Sequence, residues 1–309
     1  MKIIVLGYHN IGYTCLEELI EQKENVAAVF THKDNPKEKI WFNSVEKLAK
    51  KHHIPVYTPE NINDQDSLKI IKEIKPDIIF SFYYRNLISQ EILDIPPMGC
   101  INLHGSLLPK YRGRCPVNWV ILKGETETGV TLHYMEKKPD KGAIIAQKKV
   151  EILFEDTAFT LFNRLTRNAR ELFHETFPLI KEKKAPKIEQ LQTEASYFGG
   201  RKPEDGKIDW NQNAVDIYNL VRAITYPYPG AFTFYKGEKL IVWNCRIIPG
   251  ENNTTVPGTI TKIIPDRGLV IATKKNSILL NMIQFENTKR NKSSIIAEKN
   301  NLTIGEILT

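Results

Sequence analysis

The chain has 309 residues, 41% of them apolar and 26% charged, with a formal net charge of +7. That length supports one large or two ordinary domains with real cores; no apolar run nears the roughly 20 residues of a membrane helix, and the apolar N-terminus is one strand long and lacks a signal peptide's cleavage site. Four scattered cysteines (Cys15, Cys100, Cys115, Cys245) form no CxxC pair, which argues against a disulfide framework or a zinc site and for a reducing cytoplasm, while lysines spread along the chain beside Glu read as solvated surface.

In chain order, the first half alternates short apolar runs with amphipathic stretches. Strands are expected at Lys2–Gly7, Asn25–Thr31, Ile54–Tyr57, Ile78–Ser81, Cys100–Leu103, Thr128–Tyr134 and Ile144–Val150. Helical patterns fill the gaps at Ile11–Gln22, Asn43–Lys51, Asp64–Ile74, Cys115–Leu122 and Thr157–Lys183. The last carries Leu161, Leu165, Ala169, Leu172 and Phe173 near helical spacing. Strands separated by helices imply βαβ units, hence a mostly parallel α/β sheet. The polar stretch 184–207, with Gly199-Gly200 and Pro203, holds little to bury and reads as a linker. Beyond it come a helix (Asn213–Ile224), the turn-rich Tyr226-Pro227-Tyr228-Pro229-Gly230, and five short strands: Phe232–Tyr235, Leu240–Ile247, Gly258–Ile263, Gly268–Ala272 and Ile278–Met282. That pattern suggests a small antiparallel barrel.

The densest chemistry lies between Asn102 and Gly142. Asn102-Leu103-His104-Gly105-Ser106 follows an apolar strand, and ligands of open α/β sheets bind at the carboxyl ends of strands. Residues i and i+2 of an extended chain project to the same side, so an amide and an imidazole are presented together. Asp140, in Pro139-Asp140-Lys141-Gly142, reads locally as an ordinary turn; only proximity to His104 would give it a chemical role. An amide donor, a proton acceptor and a tuning carboxylate suit group transfer onto an amine. The remaining histidines (His9, His32, His52, His53, His133, His174) lack the spacing of a metal site. Gly7-Tyr8-His9-Asn10-Ile11-Gly12 opens a helix but lacks the GxGxxG spacing and an acidic ribose partner, so it reads as a tight turn at the sheet edge. The helix N-terminus there could still favour an anion.

Asn102-Leu103-His104-Gly105-Ser106-Leu107-Leu108-Pro109, Tyr111-Arg112-Gly113 and Asp140-x-Gly142 resemble the 10-formyltetrahydrofolate-dependent formyltransferases. Val221-Arg222-Ala223 with Pro227-x-Pro229-Gly230-Ala231-Phe232 is similar to the C-terminal barrel of the tRNA and sugar branches. Longer stretches resemble the nucleotide-aminosugar branch, and UDP-4-amino-4-deoxy-L-arabinose formyltransferase most closely. These are Phe30-Thr31-His32 with Asp34-Asn35-Pro36, Phe80 to Arg85, Arg114-x-Pro116-x-Asn118-Trp119, and Gly124 to His133.

The resemblance implies a Rossmann-like formyltransferase domain over 1–187, a linker over 188–207 and an OB-like barrel over 208–309. It implies 10-formyltetrahydrofolate as formyl donor, a nucleotide-linked aminosugar as acceptor, and no metal. His104 would be the base or proton shuttle, Asn102 would stabilise the oxyanion, and Asp140 would hold His104 and favour its imidazolium form. Asn86, Leu87 and Ile88 with Glu136, Lys137, Lys138, Pro139 and Asp140 would cradle the pterin, and Arg114 would line the same pocket. Attack of an amine on the formyl carbonyl makes a species with a negative oxygen and a positive nitrogen, which a fixed donor and a nearby base would stabilise. Arg201 is a candidate phosphate contact. A dTDP-linked 4-amino or 3-amino sugar and methionyl-tRNA are the alternative acceptors. Against tRNA, the loop after the second strand is of mixed sign, Asp34-Asn35-Pro36-Lys37-Glu38-Lys39. A non-catalytic folate or nucleotide binder would not need the trio. The sequence leaves open whether the chain forms dimers.

Overall fold

Strand β1 (Lys2–Gly7) is apolar almost end to end and buried after its first residue, as a strand covered on both faces must be. A computed structural model describes residues 1–36, 38–250 and 255–309; Lys37, within the mixed-charge loop, lies outside the described residues. The chain packs as two units. One comprises 1–116, 127–151 and 162–199; the other comprises 117–126, 152–161 and 200–309. The boundary at 199/200 falls inside the polar stretch 184–207.

After β1 come α1 (His9–Glu21), β2 (Asn25–Phe30), α2 (Val45–Lys51), β3 (Val56–Tyr57), α3 (Gln65–Ile74), β4 (Ile78–Phe82), α4 (Gln90–Leu93) and β5 (Cys100–His104). Then follow β6 (Arg112–Gly113), α5 (Pro116–Leu122), β7 (Glu127–Tyr134), β8 (Ile144–Glu151), α6 (Ala158–Lys181) and β9 (Tyr197–Phe198). The main sheet runs β3-β2-β1-β4-β5-β7-β8. β3, β2, β1, β4 and β5 are parallel, whereas β7 is antiparallel to both β5 and β8. The chain leaves β1 to one side through β2 and returns to its other side at β4, so the carboxyl ends of β1 and β4 form a topological switch point. Expected helix starts at Asn43 and Asp64 precede the observed ones because Ser44 and Asp64 are caps: their side chains accept from the N–H groups of Lys47 (3.2 Å) and Ser67 (2.7 Å).

Side chains alternate across the sheet. Ile4, Leu6, Phe30, Ile79 and Cys100 pack on one face with Leu68 and Ile71 of α3. Phe80 and Phe82 point the other way, where Phe173 of α6 meets them edge-on at 5.2 and 5.0 Å. Each such ring contributes on the order of 1.5–3 kcal/mol relative to exposure. Leu161, Leu165, Ala169, Leu172 and Phe173 of α6 are all buried, as their spacing requires.

The second unit contains α7 (Ala214–Ile224), β10 (Ala231–Tyr235), β11 (Glu238–Ile248), β12 (Ile260–Ile264), β13 (Gly268–Ala272), β14 (Ser277–Phe285), β15 (Asn291–Lys292) and α8 (Ser293–Lys299). Its sheet is antiparallel, in the order β10-β11-β14-β13-β12, with β15 on β14. Lys236 and Gly237 both have positive φ, the conformation a two-residue hairpin needs between β10 and β11. Among the described residues, no helix is long and apolar enough to cross a membrane.

Candidate active site

The site begins with β5, which carries Asn102 and His104 two residues apart. β5 pairs antiparallel with β7 and sets Asn102 directly opposite His133. Opposed residues of an antiparallel pair share a face, so three polar side chains gather there. Asn102 Nδ2 lies 3.1 Å from His133 Nε2. His133 Nδ1 lies 2.8 Å from the Tyr134 carbonyl. A carbonyl only accepts, so Nδ1 carries the hydrogen, and Nε2 of the neutral ring accepts from the Asn102 amide. The same logic applies to His104: its Nε2–H donates to the Tyr111 carbonyl at 2.8 Å. Nδ1 of His104 then faces Asp140 Oδ1, 3.6 Å away. His104 is only 7% exposed.

Asp140 reaches this point from a turn, in the left-handed region with φ of 56°. Its Oδ2 accepts the Gly113 N–H at 2.8 Å, and its Oδ1 lies 3.7 Å from His133 Nε2 as well. Burial works against its charged form, but His104, His133 and the Gly113 N–H outweigh burial and hold the carboxyl well below its usual range. Asp140 is therefore an ionised carboxylate that accepts from the Gly113 N–H and lies beside two imidazoles. Two glycines permit the approach. Gly113 has a φ of 95°, and a Cβ there would strike the Phe198 carbonyl; one at Gly142 would strike the Tyr134 carbonyl.

The Tyr111 carbonyl that holds His104 is itself fixed. Ser106 Oγ donates to the carbonyls of Lys110 (2.7 Å) and Tyr111 (3.3 Å), and the Tyr111 N–H donates to Ser196 Oγ at 2.9 Å. The Tyr111 ring stacks on Phe198, centroids 4.9 Å apart.

Asn102, His104 and Asp140 thus converge, with His133 between Asn102 and Asp140. Nothing local in the sequence marks His133, because only the β5–β7 register brings it in. Asn86, Leu87 and Ile88 sit on the loop after β4, the parallel neighbour of β5. Asn63 fixes that loop: its Nδ2 donates to the Leu87 carbonyl at 2.9 Å and its Oδ1 accepts the Ser89 N–H at 2.8 Å. Asn86 Nδ2 donates to the Glu60 carbonyl at 3.3 Å, and Leu87 is 70% exposed. Glu136, Lys137 and Lys138 are exposed after β7, and Pro139 is half-buried before Asp140. Arg114 is exposed, its N–H donating to the Phe198 carbonyl at 2.9 Å. Arg201, in the second unit, lies 4.9 Å over the Trp119 ring and donates to the Asp205 carbonyl.

At the switch point the turn after β1 is joined to β4 by Tyr8 N–H to the Phe82 carbonyl, 3.1 Å. His9 is boxed by Trp41, Phe42 and Phe162 at 4.4, 4.0 and 4.6 Å, and burial, then Arg85, pushes it down to about 3. His32 stacks on Tyr84 at 4.2 Å and accepts the Arg85 N–H at 3.0 Å; burial, then Arg85, lowers it to about 4. Arg85 forms a two-pronged pair with Glu38, both contacts 2.9 Å, and Asp34 accepts from the Tyr8 hydroxyl at 3.1 Å. This rim is built of neutral rings and a compensated cation.

Two family models match the chain, one of formyl transferase over residues 1–177 and one of the formyl transferase C-terminal domain over 201–301. Among solved structures, an N-formyltransferase from Helicobacter canadensis, in complex with folinic acid and dTDP-3-aminofucose, is 24% identical with a TM-score of 0.70, over 91% of this chain and 98% of its own. WlaRD, a sugar 3N-formyl transferase solved with dTDP and 5-N-formyl-THF, is 22% identical with a TM-score of 0.69, over 94% and 99%. A HypX variant from Aquifex aeolicus is 19% identical with a TM-score of 0.65 over 99% of this chain, which spans about half of HypX, 48%. At these identities the likeness is one of fold. The first family model covers 177 of the 309 residues, and the chain belongs to the formyl transferase family.

Proposed function

We propose that this protein moves a formyl group from 10-formyltetrahydrofolate to the amine of a nucleotide-linked aminosugar, with UDP-4-amino-4-deoxy-L-arabinose as acceptor. The observation that carries the reading is the meeting of Asn102, His104 and Asp140, separated by up to 38 positions in sequence, around one point beside β5. The similar structures with dTDP-3-aminofucose and dTDP support the nucleotide-sugar class. The choice of sugar rests on the long motif stretches, Phe80 to Arg85 and Gly124 to His133 above all.

The loop residues fit a folate. Leu87 offers an exposed apolar edge beside main-chain groups that Asn63 holds in place, as a flat heterocycle with polar rims requires. Asn86, Leu87 and Ile88 with Glu136, Lys137, Lys138, Pro139 and Asp140 would hold its pterin end, and Arg114 would line the pocket. When bound, the folate supplies the amide-like formyl carbonyl. Asn102 Nδ2 carries two hydrogens, and His133 takes one of them, which fixes the amide plane and leaves the second for the oxygen that gains charge. Such a donor is worth roughly 3–4 kcal/mol. His104 offers its Nδ1 lone pair to the amine proton, because Nε2–H is committed to Tyr111. The imidazolium so formed sits between a carbonyl and the Asp140 carboxylate, and returns the proton to the departing nitrogen. A positioned base of this kind contributes on the order of 10²–10⁴ in rate. Remote binding of the nucleotide would hold the amine at the site.

A second reading, the same transfer onto a dTDP-linked 3-amino or 4-amino sugar, is favoured by the nucleotide in those two structures. Assaying UDP- and dTDP-linked 4-amino and 3-amino sugars for consumption of formyltetrahydrofolate separates the two. The highest kcat/KM is expected for UDP-4-amino-4-deoxy-L-arabinose. A dTDP sugar in first place would establish the second reading, and transfer to none of them would end both.

A further inference from the structure

The segment 188–198 lies in the polar stretch and would pass for a connector, yet it touches the Asp140–Gly142 turn, Tyr111 and β6. Ile188 exchanges two main-chain hydrogen bonds with Ile144, 2.7 and 2.9 Å, just past the Asp140 turn. Further on, β9 pairs with β6, and Ser196 holds Tyr111. Between them Gln190, only 6% exposed, lies at the crossing point. Its Nε2 donates to the carbonyls of both Asp140 (2.9 Å) and Gly142 (2.7 Å). Its Oε1 accepts from Nε (3.1 Å) and Nη2 (2.6 Å) of Arg112. Arg112 is 3% exposed, and its remaining arm donates to Gln192 Oε1 at 3.0 Å. The next residue, Gly113, is the one whose N–H holds the Asp140 carboxylate.

We propose that Gln190 is a positioning residue for Asp140: one carboxamide, fixed by Arg112 on its acceptor side, pins the Asp140–Gly142 turn on its donor side and so sets the carboxylate against His104. The proposal rests on the catalytic reading given above. Only a carboxamide at this length accepts from a guanidinium and donates twice to carbonyls at once. A carboxylate could keep Arg112 but would turn acceptors against two carbonyl oxygens. An apolar side chain would free both partners. Asp140 occupies a left-handed backbone conformation, which a non-glycine residue holds only where its surroundings fix it. The Gly113 N–H alone fixes the carboxylate but not the turn that carries it.

The test compares Gln190→Glu and Gln190→Met with the parent enzyme in steady-state formyl transfer across pH, rates being scaled to folded protein. Both variants should lose kcat by on the order of 10- to 100-fold, the effect of a misplaced group in a reacting site. KM for folate and for the nucleotide sugar should stay put, and the acidic limb of the kcat profile should move to lower pH as the imidazolium loses its partner. Gln190→Glu, which keeps the volume and the Arg112 contact, decides the matter if Gln190→Met does not fold. Lowered thermal stability with parental kcat and an unmoved acidic limb would show a merely structural amide and overturn the proposal. His104→Ala and Asp140→Asn are measured alongside. If they retain full turnover, the catalytic reading itself falls; if they lose turnover while the Gln190 variants keep it, only the positioning role is lost.

Discussion

The two halves of the site are held by different means. Asn102, His104 and His133 ride on the paired strands β5 and β7, whose ladder fixes all three at once. Asp140 and Gly113 sit on a turn and a two-residue strand, and each is placed by individual hydrogen bonds: Gly113 N–H to Oδ2, and Gln190 to the turn carbonyls. A ladder distributes a perturbation over many bonds, whereas the turn depends on a few separate ones, two of them from the Gln190 amide. The strand half should therefore respond to substitution by losing one chemical group, and the turn half by losing geometry.

The largest effect that separates them is expected in the strand half. Asn102→Ala should lower kcat by on the order of 10²–10³, the range for one oxyanion donor, while leaving the pH profile in place. An Asn102→Ala enzyme whose pH limbs shift would show that the amide acts through His104 instead, and the division into halves would fail. A smaller effect belongs to the turn half and concerns stability. The Asp140 carboxyl is held below its unfolded range, so its contribution to stability is present above about pH 4 and is lost as pH falls toward its folded value. Unfolding midpoints of Asp140→Asn, followed from pH 7 to pH 3, should decline less steeply than those of the parent protein. Parallel declines would mean that the carboxylate is not the acid-sensitive anchor of the turn.

The same contrast explains what could be read from the chain. The Asn102-x-His104 pair was readable because a strand's period of two is local, and βαβ alternation announced the parallel sheet. His133 was not, since its place depends on the register between strands whose paired residues lie 27 to 33 positions apart. Asp140 read as a turn, which it is; nothing local shows that the turn ends 3.6 Å from an imidazole. The stretch 184–207 read as a linker because composition reports exposure and is silent on polar side chains that bury themselves by satisfying carbonyls, as Gln190 does. Strands β6 and β9 are two residues each, too short to carry a pattern, and α8 is a seven-residue helix whose buried positions are few.

On this reading the Asp140 carboxylate works through the His104 ring. At 3.6 Å and an effective dielectric constant of about 20, the gross attraction for an imidazolium is roughly 5 kcal/mol, enough to matter after desolvation takes its share. A double-mutant cycle in kcat measures that link directly, using His104→Ala, Asp140→Asn and the pair. Asp140→Asn should be costly in the parent enzyme and nearly without effect once His104 is gone. Losses that simply multiply would contradict it.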